Sequence, residues 1–295
     1  YMKFLFKTLV LSLFLNTLVY TKCYAMNDSN NLNIKSKSVI LVSPQNSKVI
    51  FEKNAYNKFY PASTTKILTA IIVLEMLDLN DLVKVSHKAA NINGTKVGLY
   101  ENGLYTVEDL LHGLLLNSGN DCAIALTEHI SGSESNFATL MNRKARSLGA
   151  RNSNFTNASG LHNENHYTCA YDLSKILAYA IKNKKFVEIS TSKSYNILGT
   201  KGDFFKICNQ NQLLLKNGKY YYKHALLGKT GFTTPAQYTF AASARNNNID
   251  LIAVALKANS KDDYLEDIIN LFDYGFNRVK KINITLEQKN NQDNL

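Results

Sequence analysis

The stretch Tyr60-Pro61-Ala62-Ser63-Thr64-Thr65-Lys66 and the apolar run behind it, Ile67 to Leu77, constrain this chain more than any other segment. The run has helical spacing and predicts a buried helix entered from Pro61 and Ala62, with Ser63 on its first turn. At about 3.6 residues per turn, Lys66 stands beside Ser63 on one face. Free backbone N–H groups and the positive end of the helix dipole meet there, which suits a serine activated by a neighbouring amine. Alone, Ser-x-x-Lys is a weak signal: it also describes a helix cap with a solvated cation, and the chain repeats it at Ser190-x-x-Lys193 in a polar stretch.

Two further stretches fit the same chemistry. Ser118-Gly119-Asn120 is a polar break between two apolar helical runs, where a hydroxyl and an amide can face a cleft. Lys229-Thr230-Gly231 runs into Phe232-Thr233-Thr234-Pro235-Ala236-Gln237-Tyr238 at a strand edge, and its glycine admits close approach of another backbone. Ser-x-Asn has a second match at Ser29-Asn30-Asn31, whereas Lys-Thr-Gly occurs once. The three lie in order, 55 residues from Ser63 to Ser118 and 111 from Ser118 to Lys229.

This ordered trio resembles the motif set of penicillin-recognising serine enzymes. Over roughly Ser38 to Asn277 the chain closely resembles the serine-type D-alanyl-D-alanine carboxypeptidases, the low-molecular-mass penicillin-binding proteins. The resemblance is carried by Tyr60 to Ala70, Thr106-Val107-Glu108-Asp109-Leu110-Leu111, Leu116 to Asp121 and Asn157-Ala158-Ser159-Gly160-Leu161. It continues through His166-Tyr167-Thr168 with Asp172-Leu173, Asn209 to Leu214, and Gly228 to Thr233.

The resemblance implies a β-lactamase/transpeptidase-like α/β fold, with an antiparallel sheet flanked by helices and an inserted helical subdomain. It implies removal of the terminal D-alanine from peptidoglycan stem peptides ending in D-Ala-D-Ala, with no metal or cofactor. Ser63 would form the acyl-enzyme, and β-lactams would be trapped there. Lys66 must be neutral to take the Ser63 proton, and a lysine starts near a pKa of about 10.4. Desolvation and a second positive charge at Lys229 would both lower it. Ser118 would relay the proton to the leaving amine, and Asn120 would orient Lys66 and the peptide. Lys229 and Thr230 would bind the substrate carboxylate. By resemblance, the N–H groups of Ser63 and Phe232, beside Gly231, would form the oxyanion hole.

Two departures stand out. The family usually has glycine where Gln237 stands, so the turn after the third motif is expected to differ. Relatives usually carry arginine at the place of Tyr264, and tyrosine cannot reproduce a bidentate anion contact. Two rival functions follow. A β-lactamase is one, disfavoured because Glu164-Asn165-His166-Tyr167-Thr168 does not match the usual deacylating Glu-x-x-Leu-Asn segment. A non-catalytic wall-binding homologue is the other, favoured by Tyr264 and opposed by intact Ser63, Lys66, Ser118, Asn120 and Lys229.

Lys3 and Lys7 precede an apolar run, Thr8 to Tyr20, followed by Cys23-Tyr24-Ala25, the layout of a secretory signal peptide over residues 1–25. The run is short for a membrane span, which needs roughly 20 residues. Removing residues 1–25 takes away Lys3, Lys7 and Lys22, so the formal charge of +11 becomes +8. That charge suits an anionic wall polymer or peripheral contact with a membrane surface, in the periplasm or cell envelope. Scattered lysines and export argue against nucleic acid as a partner. Cys122, Cys169 and Cys208 remain after processing and read as small buried residues, with one disulfide conceivable but unassignable.

The expected layout is a loose leader at 26–37, a catalytic domain at 38–280 and a polar tail at 281–295. Within the domain, Ser38–Val42 and Lys48–Glu52 read as a hairpin. Helices are expected over Leu110–Leu116, Asp121–Ile130, Ser135–Ser147 and Asp172–Lys182, then strands over His224–Lys229, Gln237–Arg245 and Leu251–Lys257, and a helix over Asp262–Arg278.

Overall fold

The computed structural model describes residues 32–292, with side chains for 32–278. Strands β1 (Ser38–Ser43) and β2 (Lys48–Lys53) form the expected antiparallel hairpin. A 3-10 turn, Ala62–Thr65, leads into α1 (Lys66–Met76). Then come β3 (Leu82–Lys84), the one-turn helix α2 (His87–Ala90) and β4 (Leu104–Thr106), which pairs with β3. Helix α3 (Val107–Leu116) starts at a capping box: the Thr106 hydroxyl accepts from the Asp109 N–H at 3.0 Å, and the Asp109 carboxylate accepts from the Thr106 N–H at 3.2 Å. Helices α4 (Asn120–Ser131), α5 (Glu134–Ser147), α6 (Ala170–Ala180) and α7 (Lys184–Thr191) complete a helical block. The hairpin β5 (Ser194–Leu198) and β6 (Phe204–Cys208) follows. Strands β7 (Ala225–Thr233), β8 (Gln237–Asn246) and β9 (Ile249–Ala258) precede the final helix, α8 (Lys261–Gln292).

The main sheet has five strands in the order β2-β1-β9-β8-β7, every neighbour antiparallel. Both β8 and β9 carry six consecutive buried residues, the mark of strands covered on two faces. Alternation assigns the faces. Ile40, Val42, Ile252 and Val254 join the core shared with the helical block. Their neighbours Leu41 and Leu251 lie against Gly275 of α8, where an added Cβ would come 2.7 Å from Leu251 and 2.8 Å from Leu41. Helix α1 is buried along residues 66–73 and packs against α3, α4, α5, α6 and α7, so it is the axis of the helical block. Leu68→Ala there would cost about 2–5 kcal/mol.

Sequence and structure differ in four places. Ser63 sits in a 3-10 turn, not on the first turn of an α-helix. Helix α7 and the β5–β6 hairpin escape a pattern reading because α7 is half polar and each hairpin strand buries a single residue, Ile197 or Ile207. The leader is not loose at its end: the N–H groups of Lys35 and Ser36 donate to the buried Asp267 carboxylate at 2.9 and 2.7 Å. The polar tail expected from residue 281 is helical backbone through Gln292. Cys122 and Cys169 are buried and unpaired, and Cys208 is exposed and unpaired. The signal segment at 1–25 lies outside the described residues.

Candidate active site

Ser63 is half-buried on the 3-10 turn, and the residue before it, Ala62, has φ 49°. That left-handed conformation is costly for a residue with a Cβ, about 1–2 kcal/mol, and persists only where the surroundings impose it. The surroundings here are two backbones. A Cβ on Gly160 would lie 1.8 Å from the Ala62 carbonyl oxygen, and one on Gly231 of β7 would lie 2.8 Å from the Ser63 nitrogen. Thr239 of β8 clamps the same turn from below, its hydroxyl donating to the Pro61 carbonyl at 2.8 Å.

Lys66 is fully buried, and its Nζ lies 3.0 Å from Ser63 Oγ, 2.8 Å from Asn120 Oδ1 and 2.6 Å from the Ser159 carbonyl. The Asn120 amide is oriented because its Nδ2 donates to the Asn93 carbonyl at 2.7 Å. Burial first, and the Lys229 charge second, hold Lys66 well below the ordinary lysine range. The nearby Asp121 acts in the opposite direction, its carboxylate held by the N–H groups of Val97, Gly98 and Leu99 at 3.1, 2.8 and 3.2 Å. A neutral amine has two N–H donors and a lone pair. With Asn120 and Ser159 as the two acceptors, the lone pair is left for the Ser63 hydroxyl.

A cleft of about 670 Å³ opens over Ser63. Ser118 lines it, buried between α3 and α4 with φ 63°, together with Thr230, Gly231 and Phe232 from β7. Thr95, Asn209, Gln210, Gln212, Leu215, Tyr238, Lys261 and Tyr264 complete the lining. Lys229 is on the same strand but not on the cleft wall. It is buried and lines a small cavity with Ile67 and Leu115, its Nζ donates to the Thr230 carbonyl at 3.0 Å, and burial lowers its pKa to about 7. The structure thus brings the three motifs together around one cleft, with Ser63, Ser118, Thr230, Gly231 and Phe232 on its surface and Lys66, Asn120 and Lys229 behind it.

Residues 25–260 match the Peptidase_S11 family, described as D-alanyl-D-alanine carboxypeptidase. This chain belongs to that family. It is therefore a serine-type carboxypeptidase, a hydrolase. It is 31% identical over 287 residues to the D-alanyl-D-alanine carboxypeptidase DacF of Bacillus subtilis, an alignment covering 95% of this chain and 72% of that one. The crystal structure of a D-alanyl-D-alanine carboxypeptidase from Mycobacterium tuberculosis superposes with TM-score 0.77 and 31% identity, over 83% of this chain and 92% of that one. The Streptomyces K15 DD-transpeptidase superposes with TM-score 0.77 and 27% identity, over 83% and 98%.

Against the family pattern, Gln237 keeps a glycine-like conformation, φ 56°, at the β7–β8 turn, where it pairs with Thr233. The turn accommodates the glutamine by strain. Tyr264 is buried against Phe240, ring centroids 5.1 Å apart, with burial pushing its hydroxyl up to about 12. It gives the cleft an aromatic wall and no charge.

Three contributions were invisible to motif reading. The Ser159 carbonyl is a backbone ligand of Lys66, and backbone atoms leave no trace in composition. Gly160 acts by having no side chain. His166 pins the 153–168 loop to the Ser63 turn: its Nε2 donates to Thr65 Oγ1 at 2.8 Å, and its Nδ1 accepts the Thr156 N–H at 3.0 Å. Burial, then the Lys66 charge, lowers His166 to about 4, so it is neutral, with the proton on Nε2. The resemblance had flagged Ser159, Gly160 and His166 without roles.

Proposed function

We propose that this carboxypeptidase acts through an acyl-enzyme on Ser63, with Lys66 as general base. The observation that carries the reading is the buried Lys66 amine 3.0 Å from Ser63 Oγ, its other two contacts acceptors and its pKa lowered by burial. Lys66 takes the Ser63 proton as Oγ attacks the carbonyl between the two terminal D-alanines. The oxygen that becomes negative faces the Ser63 N–H and that of Phe232, beside Gly231, contacts worth about 3–4 kcal/mol. Ser118 passes the proton to the leaving D-alanine amine. Water then enters, loses its proton to Lys66 and releases the shortened stem peptide. Asn120 fixes the Lys66 amine, Thr230 meets the substrate carboxylate, and Lys229, while protonated, adds to burial in lowering the Lys66 pKa.

A β-lactam presents the same carbonyl and would acylate Ser63. The adduct should persist, because Glu164 is exposed and lines a different cavity with Lys58, Tyr60 and Tyr167, and no carboxylate lines the cleft among the described residues. This favours a carboxypeptidase over a β-lactamase. Residues 1–25 would serve export to the cell envelope, where the stem peptides are. The test is release of free D-alanine from a peptide ending in D-Ala-D-Ala, with Ser63→Ala as control and a labelled penicillin adduct mapped to Ser63. A wild-type enzyme that releases no D-alanine, or that turns penicillin over rapidly, overturns the reading.

A further inference from the structure

The substrate of this reaction ends in a carboxylate, yet the two buried amines of the site are poorly placed to hold it. Lys66 is committed to Ser63, Asn120 and Ser159, and Lys229 sits behind the wall with its Nζ on the Thr230 carbonyl. Among the described residues, the one charged side chain on the cleft wall is Lys261, in the first turn of α8. It is exposed, and no described carboxylate pairs with it. The two acids that follow it are engaged elsewhere: Asp262 faces Lys219 at 3.5 Å, and Asp263 faces Lys35 at 3.5 Å. Tyr264, one helical turn on and on the same face, lines the same cleft and is uncharged. An ammonium group at a helix start experiences the positive end of the dipole and is disfavoured there, so its presence is not explained by helix stability.

From this we infer that Lys261 is the carboxylate-anchoring residue of the cleft: its ammonium group receives the terminal carboxylate of the substrate, beside the Thr230 hydroxyl, and selects ligands with a free C-terminal acid. The inference rests on the proposed reaction for its natural ligand, but it concerns any carboxylate-bearing acylating agent. A lysine on a four-carbon stem can follow the carboxylate as the leaving D-alanine departs, and its charge is expressed only in the open, wet cleft, so its contribution is screened by salt.

The experiment compares a peptide ending in D-Ala-D-Ala with the same peptide capped as the C-terminal amide, for wild type, Lys261→Gln and Lys261→Arg. A parallel arm compares acylation of Ser63 by benzylpenicillin and by its methyl ester. For Lys261→Gln, kcat/KM for the free acid should fall about tenfold, the worth of one charge-assisted contact, mainly through KM. The acid-over-amide and penicillin-over-ester preferences should shrink by the same factor, Lys261→Arg should restore them, and the salt dependence of KM should flatten. An unchanged acid-over-amide ratio in Lys261→Gln overturns the assignment. Should the wild-type enzyme be acylated by penicillin but release no D-alanine, the carboxypeptidase reading fails while the penicillin arm still decides Lys261.

Discussion

Replacing Gly160 by alanine tests whether the nucleophile is held in place by backbone packing. The new Cβ would stand 1.8 Å from the Ala62 carbonyl oxygen, 2.3 Å from its carbon and 3.0 Å from the Ser63 nitrogen, at φ +83°. Ordinary contact begins at 3.4 Å, so the carbonyl must retreat by 3.4 − 1.8 = 1.6 Å or the 153–168 loop must lift by as much. The left-handed backbone costs an alanine about 1–2 kcal/mol, and the overlap about 1–3 kcal/mol more. For a domain of this size, that total lowers the melting temperature by roughly 5–15 °C. The effect on chemistry is larger. A displacement of about 1 Å at a reacting group costs on the order of 100-fold, and here it falls on the residue bonded to Ser63. Lifting the loop would instead carry the Ser159 carbonyl away from Lys66. The assay is the second-order rate of acylation by a fluorescent penicillin, read at a temperature where circular dichroism shows the variant folded. A folded Gly160→Ala enzyme acylated at the wild-type rate refutes the idea that this close approach positions Ser63.

Other outcomes follow from the same geometry. Gly231→Ala places a Cβ 2.8 Å from the Ser63 nitrogen and 2.4 Å from Thr239 Oγ1, so acylation should fall at least about tenfold with only modest loss of thermal stability; equal losses for unrelated surface glycines would show the effect to be nonspecific. Lys229→Met removes a positive charge near Lys66, so the acidic limb of the acylation pH profile, where Lys66 loses its proton, should move to higher pH; a limb that stays put contradicts the coupling. In the folded state Lys229 is neutral above about 7 while the unfolded chain keeps that proton to about 10.5, so the unfolded state binds more protons in between and stability should rise with pH across that window. Thermal melts should show the rise in wild type and a shallower one in Lys229→Met. Gln237→Gly relieves a left-handed glutamine and should raise stability by up to about 1 kcal/mol without altering acylation, whereas a loss of stability in chemical denaturation would show that the side chain is needed.

Much of the candidate site is legible in the sequence because the proposed catalysis depends on side chains of unusual type in fixed order. Ser63, Lys66, Ser118, Asn120 and Lys229 each stand out against apolar or strand surroundings, and their spacing fixes which elements must converge. The capping box at Thr106 is equally local, and the structure has it. What the pattern hides is non-local or made of backbone. The 3-10 turn under Ser63 exists because Gly160 and Gly231 press on it from segments 97 and 168 residues away, and no window around Ser63 contains that information. The burial of Lys229 was likewise hidden, since a lysine in a strand can face solvent or core until the sheet is docked. Tyr264 illustrates the opposite case: its identity signalled a missing cation, but only the fold shows Lys261 opening onto the same space.

The strand order β2-β1-β9-β8-β7 has a consequence for how such a chain becomes an enzyme. Its first strand waits for its last: the open edge of β1 has no partner until some two hundred residues later, when β9 has been made, and β9 joins it through β8 to β7 with Gly231. A chain threaded through a membrane from its amino end would carry the serine across long before the strand that arms it. Partially delivered chains would then be blind to both stem peptide and antibiotic, and reactivity would switch on only once the carboxyl-terminal third had arrived and closed the sheet.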